Sequence, residues 1–361
     1  MAPSITECAF LTDIEGNYDH FERYIGISKV LRWADDKKTA LEFKKDNAMF
    51  VFGGDSQDKG IGDIRFTKLL LGLKEKYPDR VEMIIGNRDA NKIRLCSELH
   101  KDTLDDPKVL TDASFPYWVE EGKRVTPKMF LDKNDAKNGG SANTAANRLR
   151  WLLKDTMGAD GAFDRRREEL SIIRNCKLAA INDDAVVESY RSEADPQSKD
   201  NNFMLKYLQN GKLAYVFGST IFVHGGLSPK NIGTVPGKKN IEPSVEGWVK
   251  ELNAWAQKEV IDFTQDPYSG KNGRDRKGAG LMDYGVPDGN GGATVVYEHY
   301  LDKGNSKHIP KEVQKYLLES NINTVLSGHQ PHGDCPNVIC TGSVKVITAD
   351  TSYSQMGSKS A

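Results

Sequence analysis

The sequence predicts an α/β fold built on a mainly parallel sheet. Three observations predict it. Short apolar runs alternate with amphipathic stretches over the first hundred residues, in the order β-α-β-α-β. Each apolar run stops at a polar residue beside glycine or in a glycine-containing loop, where ligands sit in parallel sheets. After a polar, helix-patterned middle, β-rich sequence resumes near residue 211. The organisation expected is a single domain over 1–361, with a mainly helical insertion, approximately 98–210, that caps it.

The elements follow in order. ECAFLTD (7–13) is a short apolar run ending at Asp13. NYDHFERYIGISKVLRWA (17–34) has roughly helical spacing through Phe21, Tyr24, Ile25 and Ile27 to Leu31. NAMFVFGGD (47–55) is a buried strand ending at Asp55, and IRFTKLLLGLKEKYP (64–78) is amphipathic and stops at proline. RVEMIIGN (80–87) is a third strand, ending at Asn87. In the middle, NTAANRLRWLLKDTMG (143–158) is the strongest helix, with Asn143 or Thr144 as cap, an apolar face of Leu149, Leu152, Leu153 and Met157, and Gly158 to close it. GAFDRRREELSIIRN (161–175) is a second helix.

KLAYVFGSTIFVHGG (212–226) reads as a hairpin turned at Gly218-Ser219 and ending at His224. VEGWVKELNAWAQKEVIDF (245–263) is helical, and the Gly-rich stretch 266–293 is expected as a surface loop or lid. NINTVLSGHQPHGD (321–334) carries a strand ending at His329, and NVICTGSVKVITADTSYS (337–354) a hairpin turned at Gly342-Ser343.

Totals exclude some functions. The net charge of -1 gives no basic field for nucleic acid or anionic membrane. No run of eighteen apolar residues is present, so no membrane span is expected. MAPSITECAF lacks the pattern of a secretory signal. The five cysteines, Cys8, Cys96, Cys176, Cys335 and Cys340, are unevenly spaced and suit free thiols in a reducing, cytoplasmic setting.

Strand ends thus deliver Asp13, Asp55, Asn87, His224 and His329. Singly, an aspartate after a strand is most often a turn or cap, and a lone histidine most often a satisfied core residue. Together, two carboxylates, an amide oxygen and two imidazoles suit a pair of divalent cations. Asp55 is the natural bridge, since a carboxylate can neutralise two cations about 3.5–4 Å apart.

TDIEGN (12–17), GGDSQDKG (53–60), GNRD (86–89), FVHGGLSP (222–229) and SGHQ (327–330), in this order, give the chain its likeness. It resembles the calcineurin-like metallophosphoesterase superfamily, in its phosphoprotein phosphatase and tetraphosphatase-like branch. The match covers roughly 1–97 and 211–353, not the middle. The resemblance implies a four-layer α/β/β/α sandwich and a dinuclear centre, manganese foremost, with iron, zinc or magnesium as alternatives. It assigns Asp13, the residue at position 15 and Asp55 to one metal, and Asp55, Asn87, His224 and His329 to the other. Lys59 corresponds to a basic residue that touches phosphate.

Two residues depart from that pattern. Glu15 stands where the family has histidine; it is read as a ligand that favours Mn²⁺ or Mg²⁺, the rival being a residue behind the ligands or a cap. Arg88 stands where the family has a histidine paired to the aspartate that is Asp58 here. Arginine keeps its proton, so it clamps phosphate rather than donating. His332 is the candidate replacement acid, against a plain solvated histidine. Asp89 braces its loop or binds Lys92 or Arg94.

Arg148, Arg150, Arg165, Arg166 and Arg167 either meet an anionic substrate or line a solvated helix face paired with Glu168 and Glu169. Asp350 and Tyr353 follow a strand and are further neighbours of the site.

The expected activity is metal-dependent phosphoric ester hydrolysis of a phosphoprotein, nucleotide or small phosphorylated metabolite. Hydrolysis of a dinucleoside polyphosphate is the alternative within that class. A catalytically weak metal- or phosphate-binding protein is the alternative outside it.

Overall fold

A computed structural model describes residues 4–138, 142–272 and 275–351; Tyr353 lies outside the described residues. The strands are β1 (Glu7–Leu11), β2 (Leu31–Trp33), β3 (Leu41–Phe43), β4 (Ala48–Phe52), β5 (Val81–Ile84), β6 (Gly211–Lys212), β7 (Ala214–Phe217), β8 (Thr220–Val223), β9 (Leu301–Asp302), β10 (Asn305–Ser306), β11 (Thr324–Ser327), β12 (Asn337–Thr341) and β13 (Val344–Thr348). One sheet, ordered β1-β4-β5-β6, is parallel throughout. A second is ordered β12-β13-β11-β8-β7, parallel in its middle and antiparallel at both edges. The edge pairs are the two expected hairpins, closed by Phe217 opposite Thr220 and Thr341 opposite Val344.

Strand chemistry explains how the sheets are covered. AMFVF in β4 is buried along its whole length. Its period of two sends Phe50 and Phe52 to one apolar cluster and Met49 and Val51 to another. In β8, Phe222 joins Met49 and Val51, while Ile221 and Val223 face away from them. The two sheets therefore share a small cluster, in which the Phe10 and Phe222 rings stand 5.6 Å apart.

Helices cover the other faces. Helix Tyr18–Ile27 brings Phe21 and Ile25, and helix Asp63–Lys76 brings Phe66, Leu70 and Leu73, to the cluster of Phe50 and Phe52. Helix Val245–Gln265 and helix Lys311–Glu319 bring Trp248, Leu252, Val260, Val313 and Leu317 to Val325 and Val346. Burying each such side chain stabilises the fold by roughly 1.5–3 kcal/mol.

Between β5 and β6 the described residues form helices and no strand. In helix Ala145–Trp151, Thr144 is the cap, accepting the Asn147 N–H at 3.2 Å. Leu149, Leu152 and Leu153 are buried as expected, and Gly158 follows at φ 60°. Helix Ala162–Ile173 covers the second expected helix.

Two expectations fail. The helix of 17–34 stops at Ile27, because Ser28 turns extended and its hydroxyl takes the N–H groups of Val30 and Leu31; the rest becomes β2, paired with β3. The Gly-rich stretch after Asp266 is no surface loop over its length: Leu281, Met282, Tyr284 and Val286 are buried in the second core. Among the described residues no helix is long and apolar enough to cross a membrane.

Candidate metal centre

Several candidate site residues sit just past strand ends, in backbone that side chains rarely adopt. Asp13, Glu15, Asp55, Asp58 and His329 all have positive φ, from 48° to 100°. Each such residue costs about 1–3 kcal/mol, held by surrounding structure. One brace is Asp89, whose buried carboxylate accepts from the N–H groups of Asp55 (2.9 Å), Ser56 (3.0 Å) and Gly86 (2.9 Å) and from the Ser56 hydroxyl (2.7 Å). Of the two expectations for Asp89, the loop brace holds. Lys92 goes instead to Asp58, and Arg94 to Glu98 at 2.8 Å.

The five strand-end residues meet. Ligand atoms of Asp55, His224 and His329 lie within 4.8 Å of one another. Asn87 Oδ1 lies 3.0 Å from His224 Nε2 and 2.9 Å from His329 Nδ1. Asp13 accepts the His329 N–H, at 3.1 and 3.2 Å. Gly86 and Gly328 permit this closeness. A Cβ on Gly86 would lie 2.2 Å from Asp55 Oδ1, and one on Gly328 would lie 2.1 Å from Asp13 Oδ2.

Electrostatics point the same way. His224 Nδ1 donates to the Gly53 carbonyl at 2.8 Å, so a neutral ring turns a lone pair toward Asn87 Oδ1 and Asp55. Burial opposes charge on this ring, yet Asp55 and Asp13 raise it to about 10. His329 moves the other way, to about 3, through burial and the neighbouring His224. Burial pushes Asp13 up to about 7 against the pull of His224. Asp55, despite burial, is held below the usual carboxylate range by His224 and Arg88. His329 Nε2 is buried without a partner among the described residues. Buried acceptors facing one another with one demand for positive charge are a donor set that a divalent cation satisfies.

Glu15 and Arg88 stand together. Arg88 Nε donates to Glu15 Oε1 at 2.8 Å, and Lys59 Nζ stands 2.8 Å from the same oxygen. Arg88 also lies 3.6 Å from Asp55 and 3.6 Å from Asp58. These carboxylates outweigh burial and keep its guanidinium charged. Arg88 Nη1 reaches the Met157 carbonyl at 3.4 Å, and Arg165 donates to the Asp58 carbonyl at 2.9 Å, so the helical middle touches the site loops.

The remaining candidates make other contacts. His332 is half-buried and held by Asn337 at 2.7 Å, with no hydrogen bond to the centre among the described residues. Neither reading of the arginines fits Arg166 or Arg148, which are buried. Arg166 binds Glu193 (3.0 Å), Gln57 (3.1 Å) and Asp63 (3.3 Å), and Asp63 in turn accepts the Asp58 N–H at 3.1 Å. Arg150 and Arg167 share Asp183.

Sequence reasoning offered Lys92 to Asp89 and missed its fully buried pairing with Asp58, and it missed Tyr297, whose ring centre is 4.5 Å from that of His329. Neither lies in a motif that would have marked it. A pocket of about 660 Å³ opens at Tyr297, lined also by Pro229, Lys230, His299 and Lys307.

No protein-family model matches this chain, and no curated protein matches it in sequence. Solved structures resemble it loosely. One is a cold-active protein-tyrosine phosphatase of a psychrophilic Shewanella species, at 13% identity and TM-score 0.48, covering 98% of this chain and 74% of that one. Another is a protein serine/threonine phosphatase from Saccharomyces cerevisiae with similarity to human phosphatase PP5, at 10% identity and TM-score 0.41, covering 96% of this chain and 67% of that one.

Proposed function

We propose that the protein is a metal-dependent phosphoric ester hydrolase, a phosphatase acting on a phosphoprotein, a nucleotide or a small phosphorylated metabolite. One observation carries this reading: Asp55, Asn87, His224 and His329 turn buried ligand atoms toward one another at the ends of neighbouring strands. Asp13 borders them through His329. In this reading the two sheets and their outer helices form the four-layer α/β/β/α sandwich of a single domain, and the helical middle of roughly 98–210 is its cap.

Asp55, Asn87, His224 and His329 would hold one divalent ion, and Asp13 with Asp55 part of a second, manganese foremost. When bound, such ions acidify a water and draw charge from phosphate oxygens. The chain's own groups do the rest. Arg88, fixed by Glu15, keeps Nη2 free of hydrogen bonds among the described residues and offers it to a phosphate oxygen. Lys59 adds a positive charge beside it. Asp89 holds the loops of Asp55 and Asn87 in place.

A nucleotide or dinucleoside polyphosphate is favoured among substrates by the pocket at Tyr297, which is lined by two lysines and by the ring that packs beside His329. The test is hydrolysis of p-nitrophenyl phosphate and a panel of phosphate esters with added Mn²⁺. Wild type should turn over only with metal, and Asp55→Asn should lose at least ~10³-fold in kcat, as removal of a bridging ligand demands. Absence of metal-dependent turnover across the panel would leave the binding-protein reading in its place.

A further inference from the structure

We infer that Asp350 is a ligand of the metal centre, serving with Asp13 the cation position for which the sequence offers Glu15. This rests on the metal-dependent reading above. Glu15 is already spoken for: Arg88 and Lys59 both bind the same carboxylate oxygen at 2.8 Å. A carboxylate paired with two cationic side chains has little negative charge left for a metal.

Asp350 is the carboxylate with no such commitment. It is 6% exposed, and no hydrogen bond or ion pair engages it among the described residues. A buried, unpartnered carboxylate is costly unless it serves something.

Its place in the fold supplies the direction. Strand β13 runs parallel to β11, with Thr348 opposite Ser327. Their hydroxyls meet at 3.2 Å on one face, and the Ala349 N–H extends the ladder to the Ser327 carbonyl at 2.8 Å. Asp350 and His329 each lie two residues beyond the last paired residues of these neighbouring strands. His329 donates its backbone N–H to Asp13, and Gly328 leaves no room for even a Cβ against that carboxylate. Asp350 therefore leaves its strand beside the end of β11, where the His329 N–H meets Asp13. The crowding is felt there: burial, with the charges of Asp13 and Glu15, pushes its carboxyl up to about 9. Two hard carboxylate donors suit Mn²⁺ or Mg²⁺.

The test measures metal directly. Metal-free protein is titrated with Mn²⁺ by calorimetry, and bound ions are observed by electron paramagnetic resonance, in wild type, Asp350→Asn, Glu15→Gln and Asp55→Asn. Wild type should bind two ions with the exchange-coupled signal of a pair. Asp350→Asn should keep one ion with an isolated-ion signal, the second weakened on the order of tenfold or more. That surviving signal also reports that the variant is folded. Glu15→Gln should keep both ions.

A coupled pair of unchanged affinity in Asp350→Asn overturns this inference and leaves the metal-dependent reading standing. Loss of the second ion in Glu15→Gln alone assigns the position to Glu15 and overturns it as well, and so does a single ion in wild type. No bound manganese in wild type overturns both readings.

Discussion

Arg88 Nε lies 2.8 Å from Glu15 Oε1, so the arginine that follows β5 is anchored by the glutamate that follows β1. The two side chains act as a pair. Arg88→Ala should lower kcat/KM for p-nitrophenyl phosphate by about 10²-fold, the scale of a lost charge-assisted clamp. Arg88→Lys should recover little of it, because an ammonium lacks the planar fork. Steady-state kinetics under saturating Mn²⁺ checks both. A rise in turnover with Arg88→His would instead reveal that a proton donor is what the site lacks.

Gly86→Ala should empty the centre without unfolding the chain. Gly86 has φ -91° and ψ 175°, which alanine adopts without strain. Its added Cβ would nonetheless lie 2.2 Å from Asp55 Oδ1, 2.5 Å from the Asp55 backbone nitrogen and 2.9 Å from His224 Cε1, so the Asp55 loop must shift locally. Circular dichroism should match wild type, while metal content by elemental analysis falls.

Removing the Arg166 guanidinium should weaken the fold more than the chemistry. Arg166→Met leaves Glu193 and Asp63 buried without their partner. An uncompensated buried charge of this kind costs about 3–5 kcal/mol. Urea denaturation of the variant should show a lowered midpoint with an unchanged slope.

Asp63 gives the protein a pH signature. Burial, opposed by Arg166, raises its carboxyl from 3.8 to about 7. A raised folded-state pKa means the native protein holds the proton more tightly. The contribution is fully present below about pH 4 and is lost as pH rises to 7, by up to about 1.4 kcal/mol per unit. Asp63→Asn cannot titrate. Between pH 5 and 7 wild type should therefore lose stability relative to this variant, and the gap should be level above pH 7, as chemical denaturation at each pH will measure.

How much was legible depended on how local the signal was. The strands ending at Asp13, Asp55 and His329 announce themselves by short apolar runs that end in glycine-containing loops, and both hairpins by a glycine-serine turn. Asn87 and the two histidines could be grouped because strand ends gather on one side of a parallel sheet. Lys92 with Asp58, and Arg166 with Glu193, were not legible. Their partners lie 34 and 27 residues away along the chain, and charge spacing says nothing about who meets whom. The burial of Leu281 and Tyr284 was hidden by surrounding glycines, which mimic a loop while permitting tight packing. Strand β2 was masked because Leu31 and Trp33 continue a helical rhythm that Ser28 interrupts.

The positive φ at Asp13, Glu15, Asp55, Asp58 and His329 has a consequence for anyone seeking a sturdier protein. Glycine would relax each of those turns, but at Asp58 it would strand the buried Lys92, so a selection for heat resistance alone should drift toward glycine only at the others. Such variants would come out tougher and chemically mute, because the torsions the chain least prefers are the ones that hold its reactive groups.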